Sequence, residues 1–394
     1  MGGSEERVIV VGGGPTGLLA ALGLAQAGVA VTVIEAEAQI ISSPRAMVYH
    51  WSALEFLDRL GLLEEAIRRG FTKTDYQYRL LETGEHVDWT IDVLSEVTAY
   101  PYNVHLGQEK LGALVLEQLE KEANVELIWS SPVAAVRGDA DGVTVSASGP
   151  DGPLELRGSW CIAADGARST VRKSLGLGFD GMTWPERFVA TNIRYDFTPH
   201  GFAAANLVAD PEHGAIVAKI DETGLWRWTY CEQPDLPESG VRERLDAALE
   251  ATVPGHGPFE LERVQPYTMH QRAADAFRVG RVLLAGDAAH ATNPTGGLGL
   301  TSGIFDAEAL IPVLTAVLEG GSDALLDWWA KDRREKFLEL ASPAASENKR
   351  MLYSEQDPER RREDYEHQRA TTQDPDALRE RLLFLQALKS VPPL

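Results

Sequence analysis

Val8-Ile9-Val10-Val11-Gly12-Gly13-Gly14-Pro15-Thr16-Gly17 is the stretch that decides the fold. Its first four residues are β-branched and apolar, the pattern of a strand buried on both faces. Leu18 to Gln26 reads as an apolar, alanine-rich helix that Gly28 stops. Val29 to Ile34 reads as a second buried strand, ending at Glu35 and Ala36. Gly12, Gly14 and Gly17 fit G-x-G-x-x-G inside this β-turn-α-β unit. The first glycine allows the tight turn, the second lets backbone approach a pyrophosphate, and the third lets helix and strand pack closely. Pro15 and Thr16 open the helix, whose N-terminal N–H groups and positive dipole end suit a phosphate. Glu35 is placed to accept hydrogen bonds from ribose hydroxyls. Its charge would repel a 2′-phosphate, so the site suits FAD or NAD rather than NADP.

Composition narrows the rest. The 394 residues leave room for two or three domains. A formal charge of −22 argues against a nucleic-acid partner and against docking on anionic lipid. No long uninterrupted apolar run stands out, so no transmembrane helix is expected. Met1 to Arg7 is too short and too acidic for a signal peptide. Cys161 and Cys231 form no metal-type spacing, the histidines are scattered, and no metal is expected. A reduced, cytoplasmic compartment is the expectation.

Along the chain, Ser52 to Leu63 and Leu111 to Ala123 read as helices, and Tyr76 to Leu81 and His86 to Ile91 as a hairpin. Val125 to Trp129 reads as a strand, and Val133 to Val136 with Val143 to Ser148 as a meander. Phe188 to Phe197, Gly214 to Ile220 and Leu225 to Tyr230 read as strands of a second, antiparallel sheet. Helical patterns dominate from Thr301, and the charged run Asp357 to Arg381 reads as a solvent-facing helix or a partly mobile segment.

Two later strands each end in a glycine–aspartate pair: Trp160 to Ala164 before Asp165-Gly166, and Arg281 to Ala285 before Gly286-Asp287. Open α/β sheets bind ligands at such carboxyl ends. The full segments are C-I-A-A-D-G-A-R-S-T-V-R from Cys161 and R-V-L-L-A-G-D-A-A-H-A-T-N-P-T-G-G-L-G-L from Arg281. With the first motif they make the chain resemble the single-component FAD-dependent aromatic hydroxylases, the p-hydroxybenzoate hydroxylase-like family. The Pro44-Arg45-Ala46 segment gives the closest likeness to the phenol and hydroxyphenylpropionate branch. The resemblance covers nearly the whole chain in motif order.

The resemblance implies an α/β fold: a Rossmann-like FAD-binding domain, an inserted antiparallel-sheet (α+β) substrate domain and a helical C-terminal tail. The boundaries expected are 1–75, 100–185 and 270–320 for the FAD domain, 76–99 and 186–269 for the substrate sheet, and 321–394 for the tail. Asp287 would hold the ribityl chain, and Pro294 to Leu300, with Gly297 and Gly299, would line the flavin ring. Arg45 would lie by the pyrophosphate or ribose, Gln108 by the ribityl or phosphate, and Asp165 and Gly166, with Arg168, by both FAD and NAD(P)H. Many relatives have Asn where Thr301 stands. Asp165 also reads as a cap for the turn into Ala167 to Leu175, Arg45 as a surface residue, and His290 as a structural residue behind the flavin loop.

The activity implied is monooxygenation. NADH or NADPH reduces FAD, and O2 then yields a flavin C4a-hydroperoxide that hydroxylates an electron-rich, phenolic ring. No second G-x-G-x-x-G follows a strand, which fits a family in which NAD(P)H binds transiently. A base or proton relay is expected, with His50 the first candidate, since it follows Arg45 and imidazole titrates near neutral pH. Trp226 and Trp228 share one strand face and could line an aromatic pocket, with Tyr195 and Arg272 as further substrate contacts; all four also read as core or interface residues. The partners expected are a small aromatic substrate, NAD(P)H and O2, with a homodimer as an option. A monooxygenase tailoring a polyketide or antibiotic, and an FAD-dependent reductase of the same fold, stay open as alternatives.

Overall fold

The computed structural model describes residues 7–41 and 46–394. β1 (Val8–Val11) runs through the glycine turn into α1 (Pro15–Gln26) and β2 (Val31–Ile34). A short β3 (Val48–Tyr49) precedes α2 (Trp51–Arg59) and α3 (Leu63–Arg69). The two are separate helices because Gly61, at φ +70°, takes the left-handed conformation that ends α2. Next come β4 (Phe71–Lys73), the hairpin β5 (Asp75–Leu80) and β6 (His86–Thr90), β7 (Asn103–His105), α4 (Gln108–Leu119) and β8 (Val125–Ile128). β9 (Val133–Gly138), β10 (Val143–Gly149) and β11 (Gly152–Gly158) form a meander one strand longer than the sequence suggested.

β12 (Trp160–Ala163) and the short α5 (Thr170–Ser174) lead to β13 (Phe179–Arg194). β14 (Ala205–Ala209), β15 (Ala215–Lys219), β16 (Leu225–Glu232), α6 (Val241–Thr252) and the long β17 (Glu260–Ala274) follow. After β18 (Arg278–Val279), β19 (Val282–Leu284) and β20 (His290–Ala291) come helices α7 (Leu298–Leu318), α8 (Ala324–Lys336), α9 (Ser342–Tyr353), α10 (Pro358–Gln373) and α11 (Pro375–Ala387).

One six-stranded sheet has the order β18-β19-β12-β1-β2-β8, parallel except for the β18–β19 pair. β1, β2 and β12 are buried along their whole length, which is why β1 and β12 read as unbroken apolar runs and β2 as one broken only by Thr32. The second large sheet has eight strands in the order β20-β17-β13-β16-β15-β14-β5-β6, antiparallel except where β14 meets β5. A small sheet, β3-β7-β4, bridges the two.

Period two sorts the large sheet's residues onto two faces. Trp226, Trp228 and Tyr230 of β16 pack with Val189 and Ile193 of β13 against Val241, Leu245 and Leu249 of α6. Phe188, Cys231 and Tyr267 lie on the other face, with Leu352 and Tyr353 of α9 and Tyr365 of α10.

α7 departs from the sequence expectation: its 21 residues are long and apolar enough to cross a membrane. Here it is a core helix, packed against α1 and α8, with the carboxylate of Asp306 buried on it. The charged tail is helical, one of the two readings that its sequence allowed. It folds into α10 and α11, and its charges meet the β5–β6 hairpin: Arg361 pairs with Glu82 at 2.8 Å, and the Tyr365 hydroxyl donates to the His86 carbonyl at 3.2 Å.

Candidate active site

The carboxyl ends of β19, β12, β1 and β2 lie side by side, and each carries one sequence motif. Gly12 follows β1, Glu35 follows β2, Asp165 follows β12 and Asp287 follows β19. Gly12 has φ +109°, and a side chain there would overlap the Ala164 carbonyl at the end of β12. A side chain at Gly17 would likewise overlap the Gly12 carbonyl. Gly14 differs from both. Its backbone is ordinary (φ −76°, ψ 173°), and a Cβ built there meets nothing within 4 Å. It caps α1 with no side-chain hydrogen bond, and Pro15 fills the first turn. Uncapped N–H groups beside open space are what a pyrophosphate needs. The Thr16 side chain instead packs against Gly286 and Gly303, joining the first motif to the last.

Glu35 accepts the N–H of Gly13 and, at 2.9 Å, that of Glu37; Ala36 beside it is exposed. Gln108 begins α4, half-buried, with its N–H on the Ala46 carbonyl at 3.1 Å. Asp287 is exposed in the turn after β19. Asp165 spends both carboxylate oxygens on the start of α5, accepting from the Ser169 hydroxyl (2.6 Å) and from the N–H groups of Thr170 (2.8 Å) and Val171 (3.1 Å). Gly166 follows it at φ +79°. Arg45 lies outside the described residues.

The segment Pro294 to Leu300 turns into α7 through Gly297, left-handed at φ +69° and without a side-chain cap. Gly299 and Leu300 stand in the helix's first turn. The Thr301 hydroxyl bonds back to the Gly297 carbonyl at 2.9 Å, so it serves the helix itself. Three groups hold this loop from behind. Gln271 accepts from the Thr292 hydroxyl (2.9 Å) and the Asn293 N–H (3.1 Å). Asn348 of α9 lies against Gly296. His50, at the start of α2, places Nε2 3.0 Å from the Gly296 carbonyl. Burial lowers the His50 pKa, so the ring is neutral and Nε2–H is the donor. A proton-relay role for His50 would therefore have to run through Nδ1. Gln271 and Asn348 have no local sequence signature; only the fold brings them to the loop.

Behind the Asp287 turn lies a buried ionic cluster. Asp306 of α7 receives Arg333 Nε at 2.8 Å on one oxygen, and His290 Nε2 (2.7 Å) and the Gly286 N–H (2.9 Å) on the other. His290 also stacks on Phe337, with ring centres 4.5 Å apart, which gives it the structural place read from the sequence. Arg333 reaches on to the Leu388 carbonyl at 2.6 Å, tying the C-terminal end to the same turn.

The suggested substrate contacts stand in the core and between strands, places that the sequence also allowed them. Trp226 and Trp228 face α6, because that helix buries their side of β16. Tyr195 stacks at the far end of β13, its hydroxyl 2.5 Å from His200 Nε2. Arg272 bonds to the Thr183 hydroxyl at 3.0 Å on the neighbouring strand β13. The opposite face of β16 instead carries Leu225 and Arg227. Leu225 packs with Met47, Ala205, Ala218 and Ile220, against Val48 and Tyr76. Arg227, bonded through Nε to Asn192 at 2.8 Å, has its pKa lowered to about 10 by burial. Two open grooves, of about 440 and 340 Å³, share no residue with the glycine turn or the Asp287 turn.

His105 of β7 is fully buried at the same junction, and burial pushes its pKa down to about 4. The unfolded imidazole titrates near about 6.5. The neutral ring's contribution to stability is therefore complete above that value and is lost as pH falls from there toward 4. Between about pH 7 and about pH 5 the loss should be about 2 kcal/mol. His105→Asn should flatten this slope in denaturant titrations at the two pH values; an unchanged slope would exclude His105 as its source.

Known proteins agree with this geometry. A family model described as "FAD binding domain" matches residues 5–341. The 6-hydroxy-3-succinoylpyridine 3-monooxygenase HspB of Pseudomonas putida (strain DSM 28022 / S16) is 44% identical over 388 residues, covering 98% of this chain and 99% of that one. The para-nitrophenol 4-monooxygenase of Pseudomonas sp. (strain WBC-3) is 45% identical over 390 residues, covering 97% and 96%. The crystal structure of p-nitrophenol 4-monooxygenase PnpA from Pseudomonas putida DLL-E4 superposes with a TM-score of 0.94 at 46% identity, covering 98% of each chain. Aklavinone-11 hydroxylase, solved with FAD and aklavinone, gives a TM-score of 0.80 at 28% identity and covers 90% of this chain but 70% of that one. A glycine turn open to a pyrophosphate, a family model over most of the chain and full-length likeness to such enzymes agree: the chain belongs to the single-component FAD-dependent aromatic hydroxylases.

Proposed function

We propose that this enzyme hydroxylates a small phenol or hydroxypyridine at the substituted ring carbon para to the hydroxyl. The observation that carries the reading is end-to-end likeness to two monooxygenases whose names share that pattern, para-nitrophenol at position 4 and 6-hydroxy-3-succinoylpyridine at position 3. The polyketide alternative is weaker, since aklavinone-11 hydroxylase matches at lower identity and extends well beyond this chain.

Bound FAD supplies hydride acceptance from NAD(P)H and activation of O2 for transfer of one oxygen atom to the ring. The chain's residues do the rest. The uncapped start of α1 at Gly14 takes the pyrophosphate, Glu35 the adenosine ribose, and Asp287 the ribityl chain. The uncapped start of α7 at Gly297 turns its positive end toward the flavin ring, where reduction leaves negative charge. His50 and Gln271 keep that loop in place. The wall formed by Leu225, Ala218, Tyr76 and Val48 shields the ring from water.

Purified yellow protein should oxidise NADH or NADPH faster when 4-nitrophenol or a 3-acyl-6-hydroxypyridine is present, with matching O2 uptake. With 4-nitrophenol, oxygen attack at the nitro-bearing carbon eliminates nitrous acid and leaves benzoquinone, so nitrite should appear with each O2 consumed. Stimulation by polycyclic phenols alone would favour the polyketide reading. Substrate reduction without O2 uptake would favour the reductase.

A further inference from the structure

Among the described residues, His105 Nε2 is a buried nitrogen with no hydrogen-bond partner. The ring's other nitrogen, Nδ1, donates to the Lys219 carbonyl at the end of β15, 2.8 Å away. That bond fixes the tautomer, so Nε2 carries a lone pair and can only accept. Lys73, whose charge reaches this imidazole, is committed to Asp75 at 2.6 Å. Leaving a buried acceptor unmade is costly, so the group that meets it should be a donor.

The fold says where this atom stands. Strand pairing sets His105 opposite Val48 and Phe71. Val48 packs on the wall around Leu225 and Tyr76, and the Phe71 ring centre is 5.1 Å from the imidazole. His50, whose charge would also reach His105, bonds to Gly296 of the flavin loop. The nitrogen thus lies among aromatic and apolar side chains at the junction of the large sheet and the flavin loop.

We infer that His105 Nε2 accepts the hydrogen bond of the substrate's ring hydroxyl and so fixes which edge of the ring faces away from the flavin. The inference rests on the phenolic reading above. It makes His105 a substrate-contacting residue: it accepts the hydroxyl's hydrogen bond at Nε2, which raises electron density in the phenol ring, and it sets the para carbon as the position presented for attack. Burial keeps the ring neutral, so the acceptor stays available at neutral pH.

The test is binding to the FAD-loaded protein, followed by the change in flavin absorbance and run below the ligand's own pKa. Wild type should bind 4-nitrophenol about tenfold tighter than nitrobenzene or 4-nitroanisole, which cannot donate. His105→Asn keeps an amide donor for the Lys219 carbonyl and removes the Nε2 acceptor, so it should lose that preference. His105→Gln, with an amide oxygen able to reach the Nε2 position, should keep much of it. An undiminished preference in His105→Asn overturns the inference and leaves the phenolic reading standing on its nitrite and O2 yields. Should that variant not fold, wild type alone decides: 4-nitroanisole bound as tightly as 4-nitrophenol overturns the inference.

Discussion

Gly14→Val is expected to give a folded protein that carries no flavin. The backbone at Gly14 lies in an extended region open to any residue, and a Cβ there meets nothing within 4 Å. The protein chain therefore has no reason to resist the change. The space the side chain would fill is where the pyrophosphate must come, over the uncapped N–H groups of α1. Losing two charge-assisted hydrogen bonds to phosphate costs about 3–6 kcal/mol, so FAD affinity should fall by at least about 100-fold. Flavin absorbance per chain after purification, together with a melting curve of the apo protein, checks both halves. Gly12→Val is the contrast: with φ +109° and the Ala164 carbonyl in the way, it should fail to fold. A yellow Gly14→Val with normal flavin content would mean that the pyrophosphate lies elsewhere.

Asp306→Ala should cost about 3–5 kcal/mol, because it strands the buried cation of Arg333 and leaves the Gly286 N–H and His290 without their acceptor. Burial alone would raise this carboxyl's pKa, but His290 and Arg333 outweigh it and hold the value at about 2. The unfolded carboxyl titrates near about 3.9. Its contribution is therefore complete above that value and is lost as pH falls toward 2. Arg333→Met added to Asp306→Ala should recover part of the loss, since it removes the stranded charge. Urea unfolding of the three proteins measures this. A loss within about 1 kcal/mol for the single variant would show that water reaches the cluster.

The nucleotide half of the fold is legible in sequence because its rules are local. A glycine turn between a buried strand and an apolar helix points to a dinucleotide cradle within ten residues, and Glu35 and Asp287 follow short, buried, mainly apolar strands. The second sheet is less legible. β17 passes through Pro266 and alternates weakly, since both its faces are partly exposed along the first half. At Trp226 and Trp228 period two is right, but which face looks toward the flavin depends on α6, a helix that follows later in the chain. Arg227, between them, marks the other face. Asp306 and Arg333 stand mid-helix, where a charged residue normally means a solvated surface; the buried cluster that they form with His290 and the Gly286 N–H accounts for them. His105 hides in a three-residue strand too short to carry a period.

The order of strands in the six-stranded sheet bears on how the protein is made. β1 leaves the ribosome well before its neighbour β12, which is synthesised roughly 150 residues later, and β19 follows roughly 120 residues after that. The Ala164 carbonyl that closes over Gly12, the Gly286 turn that receives Thr16, and the Leu388 carbonyl that holds Arg333 arrive at successively later moments. Domains usually fold from the N-terminus as they emerge. This sheet cannot close strand by strand in that order, because β1 stays half-partnered until β12 is made and β12 stays half-partnered until β19 follows. Cofactor capture then waits for β19 and the turn at Gly286, and a chain interrupted before them would leave the ribosome with every glycine of the first motif and only part of the cradle to put them in.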